Sequence, residues 1–430
     1  MPISYQRARE IARRLSRGHA FNELSDRLAP VAESRRPLPP RVPRQGDWSA
    51  DARAERIGFL EERGVPLDHL AGRAPEPDPS TLQGNIESYI GMTMIPTGLI
   101  GPLRINGLHS SGDYYVPLTT SEGALVASYD RGARLLTLAG GASTLTTTEH
   151  VQRAPGFLFE TMAEAALFAA WAVGEFDRFR EVAATRTRHG ELADLMTHIA
   201  ANHVYLIFAF NTGDAAGQNM VTLCTAAICA DILERAPIKP RTWFLEANMS
   251  GDKKATTLSF LYTRGRNATA EAVIPRSLLL ERMRTTPEQM AEYWRVSFIG
   301  GVQTGSIGVS GHISNGIAAL FLATGQDAAC ISEASVGVTR MEVTGDGALY
   351  AAVVLPNLIV GTVGGGTRLP TARECLRILH CDGDGRAARL AEICAATALA
   401  GELSIVAALC SGDFARAHET LGRPPLAPDA

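Results

Sequence analysis

HVYLIFAFNTGDAAGQNMVTLCTAAICADILER, residues His203 to Arg235, reads as strand, glycine loop and helix in that order. The first nine residues, to Asn211, are aromatic and β-branched, the composition that suits a pleated surface. From Gln218 the apolar residues take helical spacing as far as Arg235. Between them lies GDAAGQNM, Gly213 to Met220. Its glycines let the backbone approach a ligand, and the helix start offers free N–H groups to a phosphate. The pattern is not GxGxxG, so no Rossmann fingerprint is present. Taken alone, an ordinary strand-to-helix turn reads equally well.

Working outward, Gly156 to Thr161 predicts a strand and Met162 to Val173 an Ala-rich helix, with more helix to Thr185. Leu192 to Ile199 reads as a second strand, with helix as the alternative, and Arg241 to Glu246 as a closing strand. The order β-α-β-β-α-β is the split βαβ, ferredoxin-like arrangement, so residues 154–246 are expected to form a compact insert. On either side, 83–153 and 247–412 are expected to make a larger domain, its C-terminal third helices with glycine-rich connections. Arg386 to Leu409 is Ala- and Leu-rich, a long helix stopped by Gly412. Residues 1–82 are rich in Arg and charge, with Pro37, Pro39, Pro40 and Pro43 marking a linker between short helices at Tyr5 to Arg17 and Asp51 to Arg63. They read as a weakly packed region without function, and 413–430 as a mobile tail.

Composition narrows the class. The chain has 430 residues, 46% hydrophobic and 20% charged, with a formal net charge of −4, which excludes a nucleic-acid footprint. Seven scattered cysteines form no CxxC pair or metal-ligand spacing, so no metal is expected, and the thiols suit a reducing compartment. Apolar stretches such as Ala165 to Val173 and Tyr205 to Phe210 are too short to span a bilayer. Residues 1–20 lack the apolar run of a secretory signal. A cytoplasmic protein with no membrane partner is expected.

Several residues suit acid–base and oxyanion chemistry. Glu122, among small residues just before a helical run, is a candidate general acid if desolvated, or else a first-turn glutamate satisfying a helix N-terminus. Lys253 and Lys254 stand beside Asp252; a lysine there can stabilise an oxyanion, and a paired aspartate would keep it charged. The plain alternative is a solvated basic turn. Asp327 follows a helical stretch that holds His312 and Asn315 and ends near Gly325. It suits tuning a neighbour's pKa, or an ordinary turn. His418 titrates near neutrality and suits a mobile proton donor. Three consecutive glycines in GTVGGGT, Gly361 to Thr367, favour a backbone-lined cavity.

From Gly84 to His418 the chain resembles the 3-hydroxy-3-methylglutaryl-CoA (HMG-CoA) reductase family. The motifs that carry the resemblance run in family order: YIGMTMIPTGLIGPL (Tyr89 to Leu103), TSEGALVAS (Thr120 to Ser128), YDRGARLL, LAGGAST, GDAAGQNM and SGDKKA (Ser250 to Ala255). HISNGIAALFLATGQDAA (His312 to Ala329), LPNLIVGTVGGGT (Leu355 to Thr367) and GELSIVAAL (Gly401 to Leu409) complete them. The TSEGALVAS, DKK and GTVGGGT forms look like the class I-like branch. The resemblance implies an α+β fold, with a large, mostly helical substrate domain around a central helix and the ferredoxin-like NADP-binding domain inserted.

It also implies roles. Glu122, Lys253, Asp327 and His418 would be catalytic: proton donor to the aldehyde-level carbonyl, oxyanion partner, the link between Glu122 and Lys253, and proton donor to the CoA thiolate. Arg153 and Lys254, with Asn315, would hold the HMG portion, and Ser128 and Arg131 would lie near CoA. NADPH would lie along Asp214, Ala216, Gly217, Gln218, Asn219 and Met220, with Gly364, Gly365 and Gly366. Thr187 and Arg188 would face its 2′-phosphate. The implied reaction takes HMG-CoA to mevalonate and CoA with two NADPH, no metal, in a dimer or tetramer whose sites are shared between subunits. Three positions depart from the family pattern: Ala417, Glu246 and the Arg295-Val296 pair. A reductase of another branched acyl-CoA and a silent binding subunit are the competing readings.

Overall fold

The computed structural model describes residues 5–16 and 21–415. His418 and Ala417 lie outside the described residues.

Helices α1 (Tyr5–Ser16), α2 (Phe21–Leu28) and α3 (Ala50–Glu61) open the chain. Strands β1 (Thr97–Gly107) and β2 (Ser111–Thr119) form a hairpin, and α4 (Leu125–Leu138) leads to the twelve-residue strand β3 (Ala142–Arg153). Next come β4 (Gly156–Leu158), α5 (Met162–Gly174), α6 (Phe176–Ala184) and β5 (Glu191–Ala200). The stretch that opened the sequence reading follows as β6 (His203–Asn211) and α7 (Gln218–Arg235), closed by β7 (Thr242–Phe244). The chain then runs through β8 (Gly265–Ile274), α8 (Arg276–Met283), α9 (Pro287–Thr304), α10 (Ile313–Thr324) and α11 (Ile331–Ala334). Strands β9 (Val338–Val343) and β10 (Leu349–Leu358) and helices α12 (Pro370–Ile378) and α13 (Ala387–Ser411) complete it.

This is a mixed α/β fold whose sheets are mainly antiparallel. Within residues 156–244 the strands lie in the order β7-β4-β6-β5, every neighbouring pair antiparallel. Residues 191–200 are strand, which settles the alternative left open above. Phe157, Phe168, Phe179 and Phe208 are fully buried beneath α5 and α6, with Phe157–Phe168 and Phe179–Phe208 ring centroids 5.1 and 5.8 Å apart.

The flanking part expected to be mostly helical carries a sheet of its own, in the order β2-β1-β3-β8-β10-β9. Only β1–β3 is a parallel pair. Strand β3 belongs to both sheets: Ser143 to His150 pair with β8, and Val151 to Arg153 with β6. One rigid strand therefore carries the chain out of the larger sheet and into the smaller one.

Helix α13 is the centre of the packing. It is apolar all round, which suits either a core or a bilayer. By length and composition it passes for a membrane span, a point the sequence reading missed, yet 83% of its apolar window is buried inside the fold. Close helix contact explains how it is enclosed: a Cβ on Gly132 of α4 would stand 1.8 Å from the Ala400 carbonyl oxygen. Its buried side chains contribute about 1.5–3 kcal/mol each for the larger aliphatics. Its polar residues are spent on structure. The Glu402 carboxylate accepts from the Gly311 and His312 N–H groups, both at 2.7 Å, and from the Thr339 hydroxyl. Glu392 accepts from the His109 and Ser110 N–H groups at 2.9 and 2.8 Å.

The N-terminal region is not weakly packed. Val42, Leu60, Val65 and Leu67 form a second small core with Tyr115 and Ile378. Buried Arg104 donates to the Arg36 and Pro37 carbonyls, and Glu374 accepts from the His69 and Leu70 N–H groups.

Candidate active site

The SGDKKA segment follows β7 and turns sharply, with Lys253 in the left-handed region at φ 56°. Non-glycine residues rarely adopt that conformation. Lys253 Nζ lies 2.9 Å from Asp327 Oδ2. The pair of candidates thus meets across 74 residues of sequence, and the expected partner of the lysine is Asp327 rather than Asp252. The hydrogen bond that the Lys253 ammonium donates to Asp327 raises the Lys253 pKa against partial desolvation. Burial pushes the Asp327 carboxyl up, but Lys253 and the Ala329 N–H outweigh it and hold it below its ordinary range. Lysine and aspartate both stay charged.

The two glycine loops meet beside this pair. The Thr362 N–H donates to the Asp214 carbonyl at 2.8 Å, and Ala215 bridges Val363. A Cβ on Gly361 would stand 2.5 Å from the Ala216 nitrogen, so the contact needs glycine there. Gln326 brackets Gly361, donating to its carbonyl at 2.9 Å and accepting from its N–H at 2.8 Å. Helix α7 begins at Gln218 after Gly217, which has no side chain to cap it, so the first-turn N–H groups remain for a ligand. Gln218 Nε2 donates to Asp327 Oδ2 at 3.1 Å and to Cys330 Sγ at 3.1 Å. Burial pushes the Cys330 thiol up to about 12, so it stays protonated. Asn219, Gly364 and Gly365 are exposed, and Gly366 packs on Gly325.

The Thr187-Arg188 turn lies beside the same loop. The Thr187 hydroxyl accepts from the His189 and Gly190 N–H groups, Gly190 packs on Met220, and Arg188 is exposed. Asp214 departs from its expected ligand role: its carboxylate accepts from the Gly385 and Ala387 N–H groups at 2.7 and 3.0 Å. It caps the start of α13, which ties the loop to the central helix.

The remaining candidates are placed elsewhere. Glu122 is exposed in the single chain rather than desolvated, and Asn315 Nδ2 donates to its Oε1 at 3.4 Å. Ser128 and Arg131 gather on Ser404 of α13, at 3.0 Å each. Arg153 is buried, with Nη1 2.8 Å from Asp252 Oδ2 and 3.3 Å from Glu246 Oε2. Lys254 Nζ donates to the Asp252 carbonyl at 2.7 Å. Among the described residues, no group of three His, Cys, Asp or Glu side chains is placed to hold a metal ion.

Two arginines that the sequence reading passed over organise the site from behind. Arg264 pairs with Asp252 at 2.7 Å and with buried Glu333. Arg266 donates to the Gly213 carbonyl in one glycine loop and to the Val360 carbonyl just before the other. The signal was Thr-Arg-Gly-Arg at the opening of a strand, two guanidinium groups where apolar residues would be expected.

Residues 52–423 match the hydroxymethylglutaryl-coenzyme A reductase family. The 3-hydroxy-3-methylglutaryl-coenzyme A reductase of Pyrococcus abyssi is 42% identical over 387 residues, 88% of this chain and 94% of that protein. That of Aeropyrum pernix is 44% identical over 413 residues, 94% and 97% of the two chains. A class II enzyme of that name from Streptococcus pneumoniae, solved bound to NADPH in open conformations, has TM-score 0.69 at 19% identity and covers 84% of this chain and 99% of its own. That likeness is one of fold. This protein is an oxidoreductase. More narrowly, the chain belongs to the hydroxymethylglutaryl-coenzyme A reductase family.

Proposed function

We propose that the chain reduces HMG-CoA to mevalonate and CoA, consuming two NADPH and two protons. The observation that carries this reading is the Lys253–Asp327 pair, 2.9 Å apart, beside the uncapped start of α7. NADPH supplies a hydride at each of the two reductions. The residues suited to hold it are Ala216 to Met220, Gly364 to Gly366 and the Thr187-Arg188 turn, with Asp214 acting as a brace. Residues 154–246 would be the ferredoxin-like NADP-binding domain, and 83–153 with 247–412 the substrate domain.

Lys253 stabilises the oxyanion formed from the thioester, and Asp327 keeps it charged. Loss of CoA releases a thiolate, which His418 protonates. Glu122 donates the proton to the aldehyde-level oxygen in the second reduction. Arg153, Lys254 and Asn315 hold the HMG portion, and Ser128 and Arg131 the CoA.

The exposure of Glu122 supports completion of the site by a second copy of the chain. So does the apolar surface before it, where Ile90 and Met94 are 101% and 94% exposed, and that of α9 at Val296, Ile299 and Val302. Exposed apolar side chains of this kind are what a partner subunit covers. The class I-like reading rests on the TSEGALVAS, DKK and GTVGGGT forms and on 42–44% identity to the two archaeal relatives. We place the protein in the cytoplasm.

The test is NADPH oxidation with HMG-CoA. Two NADPH per substrate, lost in both Lys253→Ala and Glu122→Gln, is the expected result; turnover undiminished in Lys253→Ala sinks the proposal. One observation favours a second reading, a reductase of another branched acyl-CoA: Glu246 occupies Arg153, which competes with a substrate carboxylate. NADPH oxidation only with branched acyl-CoA substrates whose acyl group lacks a carboxylate would support it.

A further inference from the structure

Lys253 is held from two sides. Asp327 takes its ammonium, while its backbone N–H donates to Glu333 Oε1 at 3.1 Å. That same carboxylate oxygen is the partner of Arg264 Nη1. Arg264 reaches on through Nη2 to Asp252 Oδ1 at 2.7 Å and to Gln218 Oε1 at 3.5 Å. Its own N–H is anchored on Asn357 Oδ1 at 2.9 Å, next to the end of β10. One guanidinium therefore touches the residue before Lys253, the carboxylate that binds the Lys253 backbone, and the first residue of α7.

These contacts bear on a strained point. At φ 56° Lys253 sits in a conformation that persists only where the surroundings over-determine it. An isolated SGDKK turn has nothing to hold it there. Arg264 is 1% and Glu333 0% exposed, so their geometry is not shared with solvent. A rigid guanidinium fork between two carboxylates is suited to setting a position rather than to reacting.

Resting on the catalytic reading of Lys253, we infer that Arg264 and Glu333 are positioning residues. The buried pair clamps the Lys253 backbone and registers its ammonium against Asp327 and the start of α7. Neither residue touches the reacting atoms; they act through Lys253.

Two variants separate positioning from plain stabilisation. Replacing both buried charges with apolar residues of similar size, Arg264→Met/Glu333→Leu, leaves no orphaned charge and is compatible with an intact fold. It also removes the acceptor for the Lys253 N–H. Glu333→Gln keeps an acceptor oxygen at that place. The expected result is a double variant with an unchanged melting temperature, unchanged KM for HMG-CoA and NADPH, and kcat lowered about a hundredfold, the scale of a small misplacement of a catalytic group. Glu333→Gln should recover most of that kcat. A folded double variant with wild-type kcat overturns the inference. Should the double variant not fold, Arg264→Lys decides, since it keeps the charge but loses the fork: lowered kcat at constant KM supports positioning, and full kcat overturns it. Lys253→Ala is assayed alongside. Wild-type turnover in that variant would mean that the catalytic reading itself fails, whereas an inactive Lys253→Ala beside a fully active double variant defeats only the clamp.

Discussion

Two ion pairs stand back to back in this protein and differ in nearly every physical respect. Lys253 and Asp327 are 41% and 37% exposed, whereas Arg264 and Glu333 are 1% and 0% exposed. A pair open to water is screened and adds little to stability. A buried pair has lost its hydration and relies on its partner to offset that cost. The exposed pair therefore keeps its charges available to a ligand, while the buried pair spends its charges on geometry. The lesson is that charge in a site divides between reacting and holding, and that burial tells the two apart.

The sharpest way to break this contrast is to remove half of the buried pair. Glu333→Ala leaves Arg264 with Asp252 but deletes its fully buried partner, and should cost about 3–5 kcal/mol in urea unfolding. A cost near zero would mean that water or movement relieves Arg264. Lys253→Met is the complement. It should lower kcat about 10²–10³-fold, as loss of an oxyanion partner does, while changing unfolding stability by less than about 1 kcal/mol. Equal damage to stability would erase the distinction.

A second buried carboxylate sharpens it with pH. Burial pushes Glu392 from 4.5 up to about 7, partly countered by Ser110 and the His109 N–H. Between those values the folded chain holds a proton that the unfolded chain has released. The contribution of Glu392 to stability should therefore be greatest below pH 4.5, fall as pH rises to about 7, and level off above, on the order of 3 kcal/mol in all. Unfolding of wild type and Glu392→Gln compared from pH 5 to 8 checks this, because the amide should lack that slope. For the exposed pair the expected pH effect is on rate. Asp327 raises the Lys253 pKa, so Asp327→Asn should move the alkaline limb of kcat to lower pH.

The smallest effect expected is at the entrance to Arg153. Glu246 Oε2 lies 3.3 Å from Arg153 Nη1 and also accepts from the Ser250 hydroxyl at 3.0 Å. Glu246→Ser should leave Arg153 with Asp252 as its one carboxylate partner and lower KM for HMG-CoA several-fold, about 1 kcal/mol, with kcat little changed. A raised KM would mean that Glu246 orders Arg153 for the substrate.

Much of the local structure was legible. Strand β6 and helix α7 begin and end where composition and spacing place them, because aromatic and β-branched runs and apolar helical spacing act within a few residues. Gly412 stops α13 at φ 75°, as its lack of a Cβ allows. Strand β8 was missed because the alanine-rich stretch Ala268 to Val273 carries little strand signal. It is a strand because β3 on one side and β10 on the other complete its ladder. The docking of residues 30–82 was also invisible, since Arg104 and Glu374, which tie them down, lie far along the chain.

The candidate site divides in the same way. Its inventory was readable from residue types: a lysine loop, two glycine loops, an aspartate after a helix. By itself the amino-acid sequence determined which groups are present and which short segments are strand or helix, because propensity, alternation and glycine freedom are local properties. The Lys253–Asp327 link was implied by the family resemblance, but only the tertiary structure decided its geometry, that Asp214 braces α13, and that α13 is enclosed on nearly all sides. Those outcomes depend on which distant surfaces exclude water together, and no short stretch of chain carries that information.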